Sequence, residues 1–288
     1  MSSAVRTALL CAAIPVFASC CPSTDLQATR SGASLDQGRA IAPDDFAWPS
    51  GQRAAVSLSF DDARPSQLDV GLPILDSYGL KATFYVSPAR VEPRLSDWKN
   101  VAAGGHEIGN HSMRHPCSGN FPWSREKALE EYTLAEMAAE LDQANAEIER
   151  MLGVRPATFA YPCGQKFVGR GTDARSYVPL IAARFSAGRG WRDEGANAPT
   201  FCDPAQLMAM ELDGLTFAQL KTLVDDAVEQ GAWLVLCGHD IGADGRQTTR
   251  VDTLRAFCEY ARDPQNGLWV DTVAHIARYV VEQRTSAD

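Results

Sequence analysis

The sequence predicts an α/β fold built on a mainly parallel sheet, compatible with closure as a barrel. Two observations carry that expectation. From about Gln52 onward, short β-rich apolar runs alternate with stretches of helical period, as in chains built from βαβ units. The composition is that of a folded globular chain: of 288 residues, 45% are hydrophobic and 22% charged, which excludes collagen-like or wholly disordered material. That length accommodates one large domain or two small ones, at about 100–200 residues each.

The elements follow in order. Ala54–Phe60 reads as the first strand, and Leu68, Leu72 and Leu75 then recur at near-helical spacing. Ala82–Val86 and Glu107–Asn110 are the next β-rich runs. Leu134, Met137, Leu141, Ala144, Ile148 and Met151 mark one face of a long amphipathic helix, with stop signals at Gly153 and Pro156. Further strands are expected at Thr158–Ala160, around Phe185–Ala187, and at Leu207–Leu212, Trp233–Cys237 and Leu268–Val270. Helices are expected near Val178–Arg184, Phe217–Glu229, Val251–Arg262 and Val273–Gln283.

The first twenty residues read as an export signal rather than part of the fold. Arg6 supplies a positive start, and Ala8 to Ala18 is apolar but too short to span a bilayer. Pro15 and the lack of amphipathic alternation argue against a buried helix. Phe17-Ala18-Ser19-Cys20 resembles a bacterial lipoprotein processing site, with Phe in place of the usual Leu and a second cysteine, Cys21, alongside; ordinary cleavage nearby is the alternative. The expected organisation is a signal peptide over 1–20, a flexible Ser-, Ala-, Gly-, Asp- and Pro-containing tether over 21–50, and a single catalytic domain over 51–288. The protein is expected to be exported to the periplasm or cell surface, touching membrane only through a lipid on Cys20. A formal charge of −9 argues against a nucleic-acid partner.

Export permits disulfides. Cys21, Cys117, Cys163, Cys202, Cys237 and Cys258 contain no Cys-x-x-Cys pair, so a thiolate zinc site is poorly supported and the pairing stays open. Cys237 lies in an apolar run and reads as a buried thiol.

In parallel α/β folds the chemistry sits on loops that follow the C-terminal ends of strands. Asp61-Asp62 ends the first strand. On a solvated turn, or as a helix cap, such a pair means little; at a strand end one carboxylate can bind a cation while the other takes a proton. His111 and His115 follow the Glu107–Asn110 run, and their i, i+4 spacing puts both imidazoles on one face of a helical turn, a geometry a shared metal requires. His239 ends the Trp233–Cys237 run. The chain lacks Gly-x-Ser-x-Gly, His-Glu-x-x-His and phosphate-loop signatures. His239-Asp240 matches the short signature of helical His-Asp phosphohydrolases, but here it ends a strand. His106 and His275 read as structural or exposed.

Together, Ser59-Phe60-Asp61-Asp62, His111-Ser112-Met113-Arg114-His115, Tyr161-Pro162-Cys163-Gly164 and Leu236-Cys237-Gly238-His239 resemble the motifs of the polysaccharide deacetylase family, in that family's order across most of residues 52–285. The resemblance implies a distorted (β/α) barrel and a divalent metal, most commonly Zn2+, with Co2+, Ni2+ or Mn2+ as alternatives. It assigns Asp62, His111 and His115 as metal ligands and Asp61 as general base. The Cys163 N–H becomes the oxyanion donor and His239 the general acid. It further implies a Cys117–Cys163 disulfide, since both loops converge on the metal in this family.

The implied activity is removal of N-acetyl groups from amino-sugar residues of an oligo- or polysaccharide, with release of acetate. O-deacetylation of xylan, hydrolysis of another C–N bond, and glycan binding without turnover are the alternatives. Several positions depart from the family's pattern. The family's third-motif arginine is replaced by Ala160, the fourth motif is not recognisable around Phe185–Trp191, and Arg64 stands beside the Asp pair. Arg64, Tyr161, Pro162 and Trp191 are the candidate substrate contacts, with a surface role as the alternative for Arg64.

Overall fold

The computed structural model describes residue 1 and residues 40–286, so the expected export signal, Cys20 and most of the expected tether lie outside the described residues. Eight strands form one curled parallel sheet: β1 (Ala54–Asp61), β2 (Thr83–Val86), β3 (Glu107–Asn110), β4 (Thr158–Ala160), β5 (Ala187–Arg189), β6 (Met210–Glu211), β7 (Trp233–Gly238) and β8 (Leu268–Val270). Their order in space is β5-β4-β3-β2-β1-β7-β6, and β8 pairs with the start of β1. Leu207 draws the two edges together. Its N–H donates to Gly188 O and its carbonyl accepts from Gly190 N, both at 2.8 Å, while Met210, just beyond, pairs with Leu236 of β7. The result is the distorted barrel the sequence implied.

β1 is buried at every position, as expected of a parallel strand covered on both faces. Its period of two separates two environments. Ala54, Val56, Leu58 and Phe60 join the core beneath the outer helices, whereas Ala55 joins the inner core. Ser57, Ser59 and Asp61 share the parity of Ala55. The polar members of this inner face are satisfied: Trp233 Nε1 donates to Ser57 Oγ at 3.1 Å, and Ser59 Oγ donates to Leu236 O at 2.7 Å. β7 repeats the pattern, with Leu234 and Leu236 on the helix side and Trp233, Val235 and Cys237 inside.

The main helices are α1 (Leu72–Ser77), α2 (Leu95–Ala103), α3 (Leu134–Leu152), α4 (Val178–Ala182), α5 (Phe217–Gln230), α6 (Val251–Arg262) and α7 (Val273–Ser286). α3 opens on a capping box, with the Glu136 N–H donating to Thr133 Oγ1 and the Thr133 N–H to the Glu136 carboxylate, and it closes on left-handed Gly153. A cap of this kind contributes about 1 kcal/mol. α7 seals the end of the barrel opposite the site. Val273, Ile276, Ala277 and Val280 enter the inner core, and the helix's first free N–H groups, on Val273 and Ala274, donate to Thr83 Oγ1 and half-buried Glu107 at 2.9 and 2.8 Å.

Three expectations need correction. The tether does not extend to residue 50: Trp48 is buried against Trp269 and Tyr279, its Nε1 donates to Gly231 O at 3.0 Å, and Tyr279 Oη donates to Ala47 O at 2.6 Å. Phe46 and Trp48 can bury aromatic area on the barrel's closed end, so the packed domain begins by Phe46. The fifth strand runs over Ala187–Arg189 rather than around Phe185, because Phe185 instead stacks on Phe159. α2 is absent from the sequence reading, since only Trp98 and Val101 are buried on its face.

Candidate active site

Two left-handed residues shape the end of β1: Asp62 at φ 72° and Ala63 at φ 48°. For a residue with a Cβ this conformation costs about 1–2 kcal/mol. The turn leaves Asp61 inside the barrel mouth and carries Asp62 across it. Asp62 Oδ1 lies 3.9 Å from His111 Nε2 and 3.8 Å from His115 Nε2, and the three donor atoms fall within 4.8 Å of one another. Two ligands about 2.1 Å from a common ion are at most about 4.2 Å apart, so the 3.9 and 3.8 Å separations from Asp62 suit one cation.

The histidines reach this geometry by a route the spacing did not foretell. Residues 111–115 form no helical turn; Ser112 and His115 have φ of 64° and 54°. The loop is held by side chains instead. Asn110 Oδ1 accepts from Ser112 N at 2.6 Å, Ser112 Oγ accepts from His115 N at 2.9 Å, and Glu140 accepts from Arg114 N at 2.6 Å. His111 Nδ1 sits 3.0 Å from Ala160 O, which can only accept, so Nδ1 carries the proton and Nε2 presents a lone pair. Burial, together with the charge of His111, lowers the His115 pKa to about 4. A neutral imidazole is what a metal binds.

Asp61 is buried beside this cluster. Burial opposes its ionisation, but Arg189, His111 and His239 outweigh burial and hold its carboxyl well below the usual carboxylate range. Arg189 is fully buried and pairs directly with Asp61 Oδ1; it also donates to Gly190 O at 2.8 Å and Cys237 Sγ at 3.0 Å, and lies 4.7 Å above the Tyr85 ring. Burial keeps Cys237 a thiol, and its Sγ lies 3.4 Å from Asp61 Oδ2 as a donor. The arginine missing at Ala160 is thus supplied from β5, the strand next to β4. The clue in the sequence was an arginine flanked by Gly188 and Gly190 at a strand end.

His239 stands across the mouth. Its Nδ1 lies 2.7 Å from Asp213 Oδ2, its N–H donates to Asp213 Oδ1 at 3.1 Å, and Thr249 Oγ1 donates to the same oxygen at 2.9 Å. Burial pulls the imidazole pKa down, but the Asp213 hydrogen bond and the charges of Asp61, Asp213 and Asp62 more than offset this, so it is raised. Asp213 was not singled out from the sequence: it lies 26 positions from His239 and no motif joins them. Gln67 Nε2 donates to both Asp61 O (2.6 Å) and His239 O (3.0 Å), locking the two strand ends together.

The remaining expected residues divide. The Cys117–Cys163 disulfide is present, so neither sulfur is a thiolate ligand. It ties the His115 loop to Cys163, which has φ 54° and lines the cleft. Among the described residues the Cys163 N–H has no hydrogen-bond partner. Trp191 lines the cleft edge-on to His239, with ring centroids 5.5 Å apart. Arg64 also lines it, clamped to Asp62 Oδ2 at 2.9 Å and Asp240 Oδ2 at 2.8 Å, so it positions a ligand carboxylate rather than standing at the surface.

Of the two motif residues expected beside the substrate, Tyr161 lines the cleft and Pro162 does not. Tyr161 is buried among Phe159 and Tyr177, and its hydroxyl is committed to Ala205 O at 2.7 Å; only part of its surface reaches the cleft. Pro162 is buried and does not line the cleft. Two exposed aromatics that the sequence did not flag, Phe121 and Trp123, stack at 5.4 Å on the cleft wall, and Trp123 lies 6.0 Å from the His115 ring. The cleft encloses about 1080 Å3. His106 is structural, accepting from Ala82 N at 3.2 Å and meeting Asp76 at 3.1 Å.

Comparison with known proteins follows the same lines. Peptidoglycan-N-acetylmuramic acid deacetylase PdaC of Bacillus subtilis (strain 168) is 27% identical over 163 residues, 56% of this chain and 31% of PdaC. A Mycobacterium smegmatis protein assigned as a polysaccharide deacetylase superposes with a TM-score of 0.59 at 19% identity, covering 86% of this chain and 96% of its own. A family 4 acetyl xylan esterase from Clostridium thermocellum, solved with a cobalt ion, gives 0.53 at 19% identity over 78% and 91%. At such identities these structures establish the fold. The chain spans less than a third of the length of the curated relatives it matches. Residues 49–176, which hold Asp61, Asp62, both loop histidines and Cys163, match the family model for polysaccharide deacetylases, a match that spans less than half of the chain.

Proposed function

We propose that this chain is a metal-dependent carbohydrate deacetylase that hydrolyses the N-acetyl amide of amino-sugar residues in an oligo- or polysaccharide. The observation that carries the reading is the convergence of Asp62, His111 and His115 between a carboxylate held by Arg189 and an imidazole held by Asp213. A divalent cation held by those three ligands, Zn2+ foremost, would supply an acidified water and a polarised acyl oxygen. Asp61, kept ionised by Arg189, accepts the proton of the attacking water. The Cys163 N–H donates to the acyl oxygen as charge builds there, a contribution of about 3 kcal/mol for a well-aimed donor. His239 donates from Nε2 to the departing nitrogen, while Asp213 holds Nδ1–H. An amide requires this acid more than an ester does, because an amide anion leaves poorly, and the raised basicity of His239 favours the amide reading.

The test is acetate release by the metal-loaded protein from N-acetylglucosamine oligomers, peptidoglycan fragments and acetylated xylan, with Asp61→Asn and chelator-stripped protein as controls. Release from an acetamido sugar, lost in both controls, supports the assignment. Release from xylan alone makes the protein an O-acetyl esterase, and silence across the panel points to an untested substrate or to glycan binding without turnover. We also propose export and anchoring through lipidated Cys20, which a Cys20→Ala variant found free in the soluble fraction would support.

A further inference from the structure

The cleft reverses the charge balance of the chain. Overall the protein carries 36 acidic residues against 27 Lys and Arg. The cleft is lined by six Lys and Arg side chains against three carboxylates, two of which, Asp61 and Asp62, belong to the reacting centre. Three of the six are engaged: Arg64 with Asp62 and Asp240, Arg114 with Glu140, and Arg192 with Glu211. Arg90, Lys127 and Arg246 form no ion pair among the described residues, although each lines the cleft.

Two of these unpaired cations share a wall with the exposed aromatics. Arg90 lies on the helical turn Pro88–Val91 that follows β2, and Lys127 on the connection that follows β3, the strand next to β2. The Lys127 ammonium sits 5.7 Å over the Trp123 ring, and Trp123 is 6.0 Å from the ring of His115. Metal-ligating imidazole, aromatic plate and ammonium thus follow one another outward from the reacting centre. Burial depresses the Lys127 pKa; Glu140 and Asp62 oppose that shift, and the charges of Arg114 and Arg90 add to it. Neighbouring cations that no carboxylate pairs directly repel one another, and an anionic ligand relieves that repulsion. An exposed indole offers a sugar ring a flat apolar face.

We propose that the wall formed by Arg90, Trp123 and Lys127 is a subsite for an anionic glycan, in which the sugar next to the reacting acetamido sugar carries a negatively charged substituent. This rests on the deacetylase reading for the position of the reacting sugar and names the substrate class of that site. A sugar stacked on Trp123 adjoins the centre at His115, and its acidic substituent reaches Lys127 and Arg90. A neutral polymer of N-acetylglucosamine leaves both cations unmatched.

The decisive probe is a matched pair: a tetrasaccharide of alternating N-acetylglucosamine and N-acetylmuramic acid with free lactyl carboxylates, and the same molecule with those carboxylates converted to methylamides. Binding is measured by calorimetry on metal-free wild-type protein, which removes turnover from the readout. The free acid is expected to bind about fivefold to tenfold tighter at low ionic strength, for two partly exposed charge contacts. The preference should collapse in about 0.5 M salt and in the Arg90→Gln/Lys127→Gln variant, but persist in Lys99→Gln, which alters the same kind of charge on helix α2 at a position that does not line the cleft. Equal binding of the two forms by wild type, or a preference that survives in the double variant, would overturn the subsite. Acetate release is followed separately on metal-loaded protein. A charge preference without acetate from either form supports the anionic subsite and overturns the deacetylase reading alone.

Discussion

Replacing Arg189 by methionine isolates the contact on which the proposed base depends. The side chain is fully buried and is the only direct cationic hydrogen-bond partner of the Asp61 carboxylate among the described residues. Methionine fills similar volume but leaves that carboxylate in the barrel mouth with the imidazoles of His111 and His239 and the Cys237 thiol as its remaining polar neighbours. Removing one partner of a buried pair costs about 3–5 kcal/mol, and at about 2–4 °C per kcal/mol this lowers Tm by about 6–20 °C. The pH dependence gives the sign. In wild type the Asp61 pKa is depressed below 3.8, so its stabilisation is present above that value and lost only as pH falls through the depressed one. In Arg189→Met the carboxyl moves upward and takes a proton as the solution acidifies, which relieves the unpaired charge. The Tm gap between the two proteins should therefore narrow from about pH 7.5 to about pH 4.5. Measured on chelator-stripped protein by calorimetric melting, a gap that stays constant over that range refutes the reasoning. So does an Arg189→Met/Asp61→Asn double variant no more stable than Arg189→Met, because neutralising the stranded carboxylate should recover much of the loss.

Two other perturbations follow from the same frame. The Cys117–Cys163 disulfide spans 46 residues, so its loss raises chain entropy in the unfolded state by about 4 kcal/mol; Cys117→Ser/Cys163→Ser should melt about 8–16 °C lower, with a fall in kcat as the Cys163 N–H loses its fixed aim. Asp213→Asn removes the hydrogen bond that raises the His239 pKa; the alkaline limb of kcat/KM should move to lower pH. His239's stabilising contribution, present in wild type below 6.5 and lost as pH rises through its elevated folded value, should disappear from the stability profile. An unmoved alkaline limb would detach His239 from the acid role.

What the sequence revealed and what it hid have a physical dividing line. β1 and β7 are legible because burial at every position favours long, mostly apolar runs, and the residues that end or follow them, Asp61, Asp62 and His239, stand at the barrel mouth for that reason; β3 is a four-residue strand, Glu107–Asn110, that delivers His111 to the same end. Arg189 and Asp213 were not legible because their partners lie 128 and 26 positions away and meet them only through sheet order. Pro162 misled because a motif names residues without saying which way they face: in Tyr161-Pro162-Cys163-Gly164 Cys163 and part of Tyr161 line the cleft, the tyrosine hydroxyl turns to Ala205, and Pro162 is buried away from it. The His111–His115 spacing gave the right pair through the wrong geometry. A five-residue loop with two left-handed residues and a helical turn can bring the same side chains together, and spacing alone does not separate them.

The seam between Phe46–Trp48 and α7 has a practical reach. Tyr279 binds the backbone of Ala47, and Trp48 packs on Trp269, at the face of the barrel remote from the cleft. Both described ends of the domain therefore leave from one side. An affinity handle, a resin or a fused partner joined at either end would present the mouth outward to a bulky polymer, and a short peptide joining the two ends would allow the chain to be reopened at a surface loop elsewhere while keeping its core contacts.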